Sequence, residues 1–259
     1  MEREVVDPYS EGSRHIVEAI LCYPRAKLGE LEDRLSQLRS LGVEAIVLEG
    51  GVEIGRYRVL GKGCASVVVK AIARGREVAL KVRRTDSDRD SLEREAEILS
   101  IANSIGVGPK LLGYTRDILV MECVEGVPLS DWLESVEEPE EIKRLLRKLL
   151  IELFEMDEKG ICHKELSRPG DHVLVDKRGE PVVLDFETAS LESKKSNLTQ
   201  VLGYLFFGRS GHCEKLRSLL RVDVDRLREL LREYKRDKSI EKFQEVMRCI
   251  GLSNGAAGI

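Results

Sequence analysis

Apolar positions along this chain follow two periods. Over residues 13–21 and 28–41 they recur at helical spacing, with Leu28, Leu31, Leu35 and Leu38 three or four apart and Leu41 standing before a stop at Gly42. An apolar run from Ala45 to Leu48 follows, and Gly50 and Gly51 mark a turn before Val52 and Ile54, which predicts a hairpin. From Tyr57 the period shortens. Tyr57, Val59 and Leu60, then Val67 to Ile72, then Glu77 to Val82 read as three strands, the last two joined by a tight turn at Arg74 and Gly75. Residues 88–104 return to helical spacing on Leu92, Ala96, Leu99 and Ala102, with Asp88 or Ser91 as the cap and Gly106 as the stop. Two short strands are predicted at Lys110 to Tyr114 and Ile118 to Met121, followed by a connector from Gly126 to Pro128. The strongest helix spans 140–159, where Ile142, Leu145, Leu146, Leu149, Leu150, Leu153 and Phe154 share one face before Gly160. Val173 to Val175 and Val182 to Leu184 form a small strand pair, and the rest is helical and charged. In residues 214–248 the alternation of Arg226, Glu229, Glu233 and Arg236 reads as a solvated helix surface.

The length of 259 residues corresponds to about 1.7 average domains. With 42% hydrophobic and 34% charged residues, the chain has material for a packed core under a charged surface, which excludes disordered and collagen-like classes. It has no apolar run long enough to span a membrane, and Met1, Glu2, Arg3 and Glu4 lack the apolar centre of a signal peptide, so a cytoplasmic protein with no membrane partner is expected. The net charge is −4, and residues 1–55 carry 6 basic against 11 acidic side chains. Two helices and a hairpin in that stretch suit either an extension packed on the next domain or a small winged-helix-like module. Its acidity argues against nucleic acid as a partner, because phosphate neutralisation supplies most non-specific affinity. The six cysteines lie too far apart for a zinc knuckle or a redox pair and fit a reduced cytosol. Only three Asn and three Gln occur, a bias resembling thermophile composition.

Candidate chemistry begins at Gly61 and Gly63, between two predicted strands and followed by Ser66 and Val68. By chance 22 glycines give about two such G-x-G triplets, so this one gains weight only from the residues downstream of it. Bare glycines there let backbone N–H groups approach phosphate oxygens. Lys81 ends the apolar strand Val78, Ala79, Leu80, and a lysine facing the interior needs a partner. Glu95 supplies one from the buried side of the next helix. Met121, Glu122 and Cys123 leave the β-rich half with backbone groups that could read an adenine edge. His163, Lys164, Glu165 and Leu166 stand just beyond the long helix. Asp185 follows Val182, Val183 and Leu184, a carboxylate at a strand end of the kind a divalent cation requires.

This order of motifs resembles the protein-kinase-like fold: glycine loop, strand lysine, helix glutamate, hinge, catalytic loop and metal aspartate. The compact form, and Ser66 where a third loop glycine is usual, are similar to the atypical RIO-type and KEOPS-complex kinases, and most of all to an archaeal group of predicted serine/threonine kinases with a His-Lys-Glu-Leu loop. The resemblance covers residues 57 to about 190. It implies an α+β, two-lobed fold: an N-terminal extension at 1–55, a β-rich N-lobe at 56–125, a reduced helical C-lobe at 126–252 and a flexible tail at 253–259.

The resemblance further implies an ATP- and Mg-dependent phosphotransferase, a serine/threonine protein kinase acting on a hydroxyl. Gly61, Gly63 and Ser66 would cover the phosphates, and Val68 and Ala79 would wall the adenine. Lys81, held by Glu95, would contact the α- and β-phosphates. Met121 would stand behind the adenine, with backbone hydrogen bonds from Glu122 and Cys123. Asp185 would bind Mg²⁺, and Glu165 takes the place of the catalytic aspartate. Counting back from Val173 puts His172 at the metal-binding asparagine, whereas counting from Glu165 reaches Gly170; Asp171, His172 or a single metal all stay open. No Ala-Pro-Glu segment follows Phe186, so the peptide-docking apparatus of ordinary kinases is absent or reduced. The alternative is an ATP-binding pseudokinase or ATPase switch that regulates a partner. The protein substrate or regulatory partner is unassigned.

Overall fold

A computed structural model describes residues 3–253, so the tail expected at 253–259 lies, from residue 254 on, outside the described residues. The chain divides into two units, the first running to Ser100 and resuming over Pro109–Val124, the second comprising Ile101–Gly108 and everything from Glu125.

The first unit is built on an antiparallel sheet. Its elements are β1 (Glu4–Val6), α1 (Arg14–Leu21), α2 (Glu30–Ser40), β2 (Val43–Leu48), β3 (Val52–Ile54), β4 (Tyr57–Val59), β5 (Gly61–Lys62), β6 (Ser66–Ala73), β7 (Arg76–Arg83), α3 (Glu93–Asn103), β8 (Leu111–Tyr114) and β9 (Ile118–Glu122). The strand order is β1-β2-β6-β7-β9-β8, with β5 also paired to β6. The hairpin expected between 45–48 and 52–54 is not formed. β2, buried at every position but Glu44, pairs on one edge with β1 and on the other with β6, which leaves no edge for 52–54. β3 pairs instead with β4, and Gly50 makes the departure: at φ 135°, a Cβ on it would meet the Val59 carbonyl oxygen at 2.1 Å.

One face of this sheet lies under α1 and α2. Val17, Ile20 and Leu21 of α1 and Leu31, Leu35 and Leu38 of α2 share a core with Ile46, Val67, Val69, Val78, Leu80, Val82, Ile118 and Val120. Arg34, fully buried, ties the helices to the sheet: it donates to the Leu21 carbonyl and, at 2.6 Å, to the Arg83 carbonyl, and pairs with Glu30 at 2.9 Å. Because side chains alternate along a strand, the intervening residues of β6, β7 and β9 point to the other face.

The second unit has β10 (Gly126–Pro128), α4 (Leu129–Ser135), α5 (Pro139–Glu158), β11 (Val173–Asp176), β12 (Pro181–Val183), α6 (Asn197–Phe207), α7 (Gly211–Leu220), α8 (Val224–Arg236) and α9 (Ile240–Cys249). β10, β11 and β12 form an antiparallel sheet, of which the sequence suggested only the last two strands. α5 is the longest helix of the unit. Its apolar stripe is buried from Ile142 to Phe154, Pro139 sits in its first turn, and Phe154 stacks on Phe243 of α9 at 4.5 Å. In α8 the face of Leu227, Leu230, Leu231 and Tyr234 is buried, while Arg226 and Glu229 pair at 3.2 Å on the exposed side. The chain is thus α+β, rich in antiparallel sheet first and in helices later. Among the described residues no helix is long and apolar enough to cross a membrane.

Candidate functional site

In the first unit, strand alternation gathers the residues singled out from the sequence. Val68 is opposite Lys81, which is opposite Leu119; Ala79 is opposite Met121. All five stand on the sheet face away from α1 and α2. Lys81 is 3% exposed, and its Nζ donates to Glu95 Oε1 of α3 at 2.7 Å, with Glu95 itself 6% exposed. An ammonium and a carboxylate held in near-complete burial cost desolvation that an aliphatic pair would not, so the pair is weak evidence of a stabilising contact.

The glycine loop is a closed hairpin. Gly61 and Lys62 pair with Val68 and Val67, and the Gly63 amide donates to the Ser66 carbonyl at 2.9 Å, leaving Cys64 and Ala65 at the tip. Arg84 holds the tip from behind, donating to the Gly63 carbonyl at 2.9 Å and, through its own amide, to the Ala65 carbonyl at 2.8 Å. Neither Gly61 nor Gly63 has the positive φ that demands glycine, and an added Cβ would meet nothing nearer than 3.8 Å. The fold therefore does not require glycine at either place. The lack of a side chain at both places leaves room for a group approaching from outside the chain. At the strand end the Glu122 amide donates to the Lys110 carbonyl at 2.9 Å, so a backbone contact from Glu122 to adenine is restricted to its carbonyl; Cys123 is half-buried just beyond.

In the second unit the loop after α5 is held by its own backbone and by α6. The peptide at Cys162 bridges Ser190 in both directions, at 2.8 and 2.9 Å. His163 is fully buried, and its Nε2 lies 2.9 Å from the Leu184 carbonyl. A carbonyl only accepts, so Nε2 carries the proton, and Nδ1 is left to accept the Glu165 amide at 3.4 Å. Burial holds the His163 pKa below the ordinary imidazole value, which keeps this neutral tautomer. One neutral ring thus fixes both Glu165 and the peptide ahead of Asp185. Asp185 sits at φ 62° and ψ 73°, left-handed backbone that a non-glycine residue adopts at a cost, and its Oδ1 accepts the Glu187 amide at 3.4 Å.

Donor atoms of Glu165, His172 and Asp185 lie within 4.8 Å of one another. His172 Nδ1 is shut off from solvent and has no hydrogen-bond partner. Two carboxylates and one imidazole with donor atoms this close together fit a divalent cation. Asp171 is exposed and belongs to no such cluster among the described residues, so of the two replacements for the metal-binding asparagine left open by sequence spacing, the structure brings together only His172. Glu165 Oε2 also accepts a hydrogen bond from Thr188 Oγ1 at 3.0 Å, placing a hydroxyl against the carboxylate.

Four residues of this site escaped sequence reasoning: Asp157, Asn197, Gln200 and Thr188. Asn197, fully buried at the first turn of α6, accepts the His163 amide at 2.8 Å and donates to the Ile161 carbonyl at 2.6 Å. Asp157, at the end of α5, accepts from Ser196 Oγ at 2.6 Å, the Asn197 amide at 2.8 Å and Tyr234 Oη at 3.2 Å. Gln200 Nε2 donates to the His163 carbonyl at 3.2 Å. Two signals pointed here. Asp157 lies four residues after Leu153 and three after Phe154, on an apolar face where a carboxylate needs donors. Asn197 is one of only three asparagines.

A model of the RIO domain family matches residues 67–202, which span both sets of residues described above. Over 167 residues the chain is 32% identical to the DNA damage-responsive serine/threonine-protein kinase RqkA of Deinococcus radiodurans, covering 58% of this chain and 25% of that protein. It is 26% identical over 207 residues to the serine/threonine-protein kinase Nek10 of Mus musculus (68% of this chain, 18% of that protein). It is 29% identical over 176 residues to the probable serine/threonine-protein kinase fnkE of Dictyostelium discoideum (59% and 13%). The chain spans a quarter or less of the length of each of these relatives.

Proposed function

The chain belongs to the RIO domain family, an atypical branch of the protein kinases, and from that membership we propose that it is an ATP- and divalent-metal-dependent phosphotransferase acting on a serine or threonine hydroxyl. The observation that carries this reading is the buried Lys81–Glu95 pair at 2.7 Å on the face that also presents Val68, Ala79 and Met121. A retained buried ion pair beside an apolar platform suits a nucleotide: the platform takes the base and the ammonium takes phosphate oxygens.

ATP supplies the transferable phosphoryl group, and the divalent cation neutralises charge on the phosphates during transfer. What this chain does is position. Lys81, fixed by Glu95, offers a cation that does not wander between rotamers. Gly61 and Gly63 keep side chains out of the hairpin edge that a phosphate would approach. Glu165, whose amide is held by the His163 ring, receives the proton of the hydroxyl nucleophile. Asp185, with His172 beside it, would hold the cation. The six cysteines are all free thiols, which supports a cytoplasmic setting for this chemistry.

The test is incubation of the full chain with γ-labelled ATP and a divalent cation, against Lys81→Met and Asp185→Ala. Transfer or hydrolysis above both variants is expected; wild type no faster than either would remove the enzyme reading. One observation favours the alternative of a nucleotide-binding switch: Thr188 already occupies Glu165 Oε2. A switch would show stabilisation by ATP that survives Glu165→Ala with no turnover in wild type. A phosphotransferase would show turnover that Glu165→Ala abolishes.

A further inference from the structure

We propose that His172 is a metal ligand, and that it tunes the site toward a divalent transition cation of the manganese(II) class in preference to magnesium. The inference rests on the phosphotransferase reading for the role of the metal, but its chemistry is that of His172 alone.

Three observations lead to it. A donor atom of His172 lies within 4.8 Å of carboxylate oxygens of both Glu165 and Asp185. Its Nδ1 is excluded from solvent and meets no donor or acceptor of the chain, so the fold spends this polar atom on nothing of its own. The backbone at His172 is fixed on both sides: its amide donates to the Pro169 carbonyl at 3.2 Å, and its carbonyl accepts the Leu184 amide at 2.8 Å. The second bond ties His172 to the residue before Asp185, so the two candidate ligands are held in register by one peptide hydrogen bond.

The chemistry is set by the donors. Magnesium takes oxygen ligands in near-ideal octahedra and gives up its waters reluctantly, so an imidazole is a poor partner for it. Imidazole suits transition cations such as iron, nickel and zinc, and carboxylates suit manganese; two carboxylates with one imidazole therefore favour a transition cation that keeps to oxygen ligation, and manganese is that one. Asp171, the oxygen donor that would have kept the site magnesium-like, is exposed and outside the cluster. The other nearby ring, His163, cannot substitute, because its Nε2 faces the Leu184 carbonyl and its Nδ1 the Glu165 amide.

The test is pulsed electron paramagnetic resonance of Mn²⁺ on the full chain, alone and with a methylene-bridged ATP analogue whose bridge contains no nitrogen. Direct imidazole ligation appears as ¹⁴N coupling that shifts when the chain is labelled with ¹⁵N-histidine, so wild type decides the point whether or not a variant folds. His172→Asn is expected to abolish the coupling and to lower the ratio of Mn²⁺ to Mg²⁺ affinity by at least about tenfold, the scale on which even an outer partner of a ligand matters. Mn²⁺ bound without nitrogen coupling, or no bound Mn²⁺ with nucleotide still binding, overturns the proposal and leaves the phosphotransferase reading standing. Nitrogen coupling in a chain that binds no nucleotide supports the ligand assignment and removes the phosphotransferase reading instead.

Discussion

Replacing Asn197 by alanine strips the loop that carries Glu165 of its anchor. Its side chain accepts the buried His163 amide at 2.8 Å and donates to the buried Ile161 carbonyl at 2.6 Å and to Asp157 at 3.1 Å. Asp157 keeps its bonds from Ser196, Tyr234 and the Asn197 amide, so the loss falls on two main-chain groups with no access to water. Each such group left unsatisfied costs ~1–3 kcal/mol, giving about 4 kcal/mol together. That is a large share of a total stability of ~5–15 kcal/mol, and at ~2–4 °C per kcal/mol it lowers the melting temperature by about 8–16 °C. Misplacing Glu165 by about 1 Å would cut phosphoryl transfer roughly 100-fold as well. Thermal denaturation and a labelled-ATP assay on the same preparation measure the two effects, with Gln200→Ala as a comparison that removes only one bond, to the His163 carbonyl at 3.2 Å. A stability loss under about 1 kcal/mol with transfer intact would show that the loop is held by something else.

Gly61→Ala and Gly63→Ala should leave the fold unharmed or raise its stability by ~0.4–1 kcal/mol, since an added Cβ has room, yet weaken nucleotide binding measured by calorimetry; unchanged ATP affinity would refute the assignment of the hairpin to phosphate. Lys81→Met breaks a buried pair and is expected to cost ~3–5 kcal/mol and to abolish the thermal shift produced by ATP, whereas a persisting shift would detach the nucleotide from this face. Glu152 of α5 is 8% exposed beside an open cavity of about 420 Å³, and burial raises its pKa to about 8. The folded state therefore holds this proton more tightly than the unfolded chain, and stability falls as pH rises from about 4.5 to about 8. Glu152→Gln should flatten that decline, by an amount on the order of a few kcal/mol, in denaturation curves across the window.

The helices at α1, α2, α3 and α5 and the strands at β6, β7 and β9 were legible because each buries one regular stripe or run, and period alone reveals that. Lys81 and Glu95 were legible for a related reason: a charge on an apolar strand and a charge on the apolar side of the next helix each need the other. β1 and β10 were not, being three residues long and stabilised by the partner strand rather than by their own composition. The hairpin expected before β3 failed because a local turn signal at Gly50 and Gly51 says nothing about which distant strand takes the edge of β2. The choice between Asp171 and His172 depended on loop path, which spacing does not encode. Asn197 and Thr188 act through tertiary contacts 34 and 23 residues away, and no local pattern marks them.

The turn over Gly63–Ser66 is cinched by its own hydrogen bond and braced by Arg84 from behind. A triphosphate would thus arrive at a receptor already shaped by folding, with little backbone freedom left to surrender at the moment of capture. Affinity at this edge would then respond to charge and shape at the tip, where Cys64 and Ala65 stand, more than to any loosening of the strands beneath it.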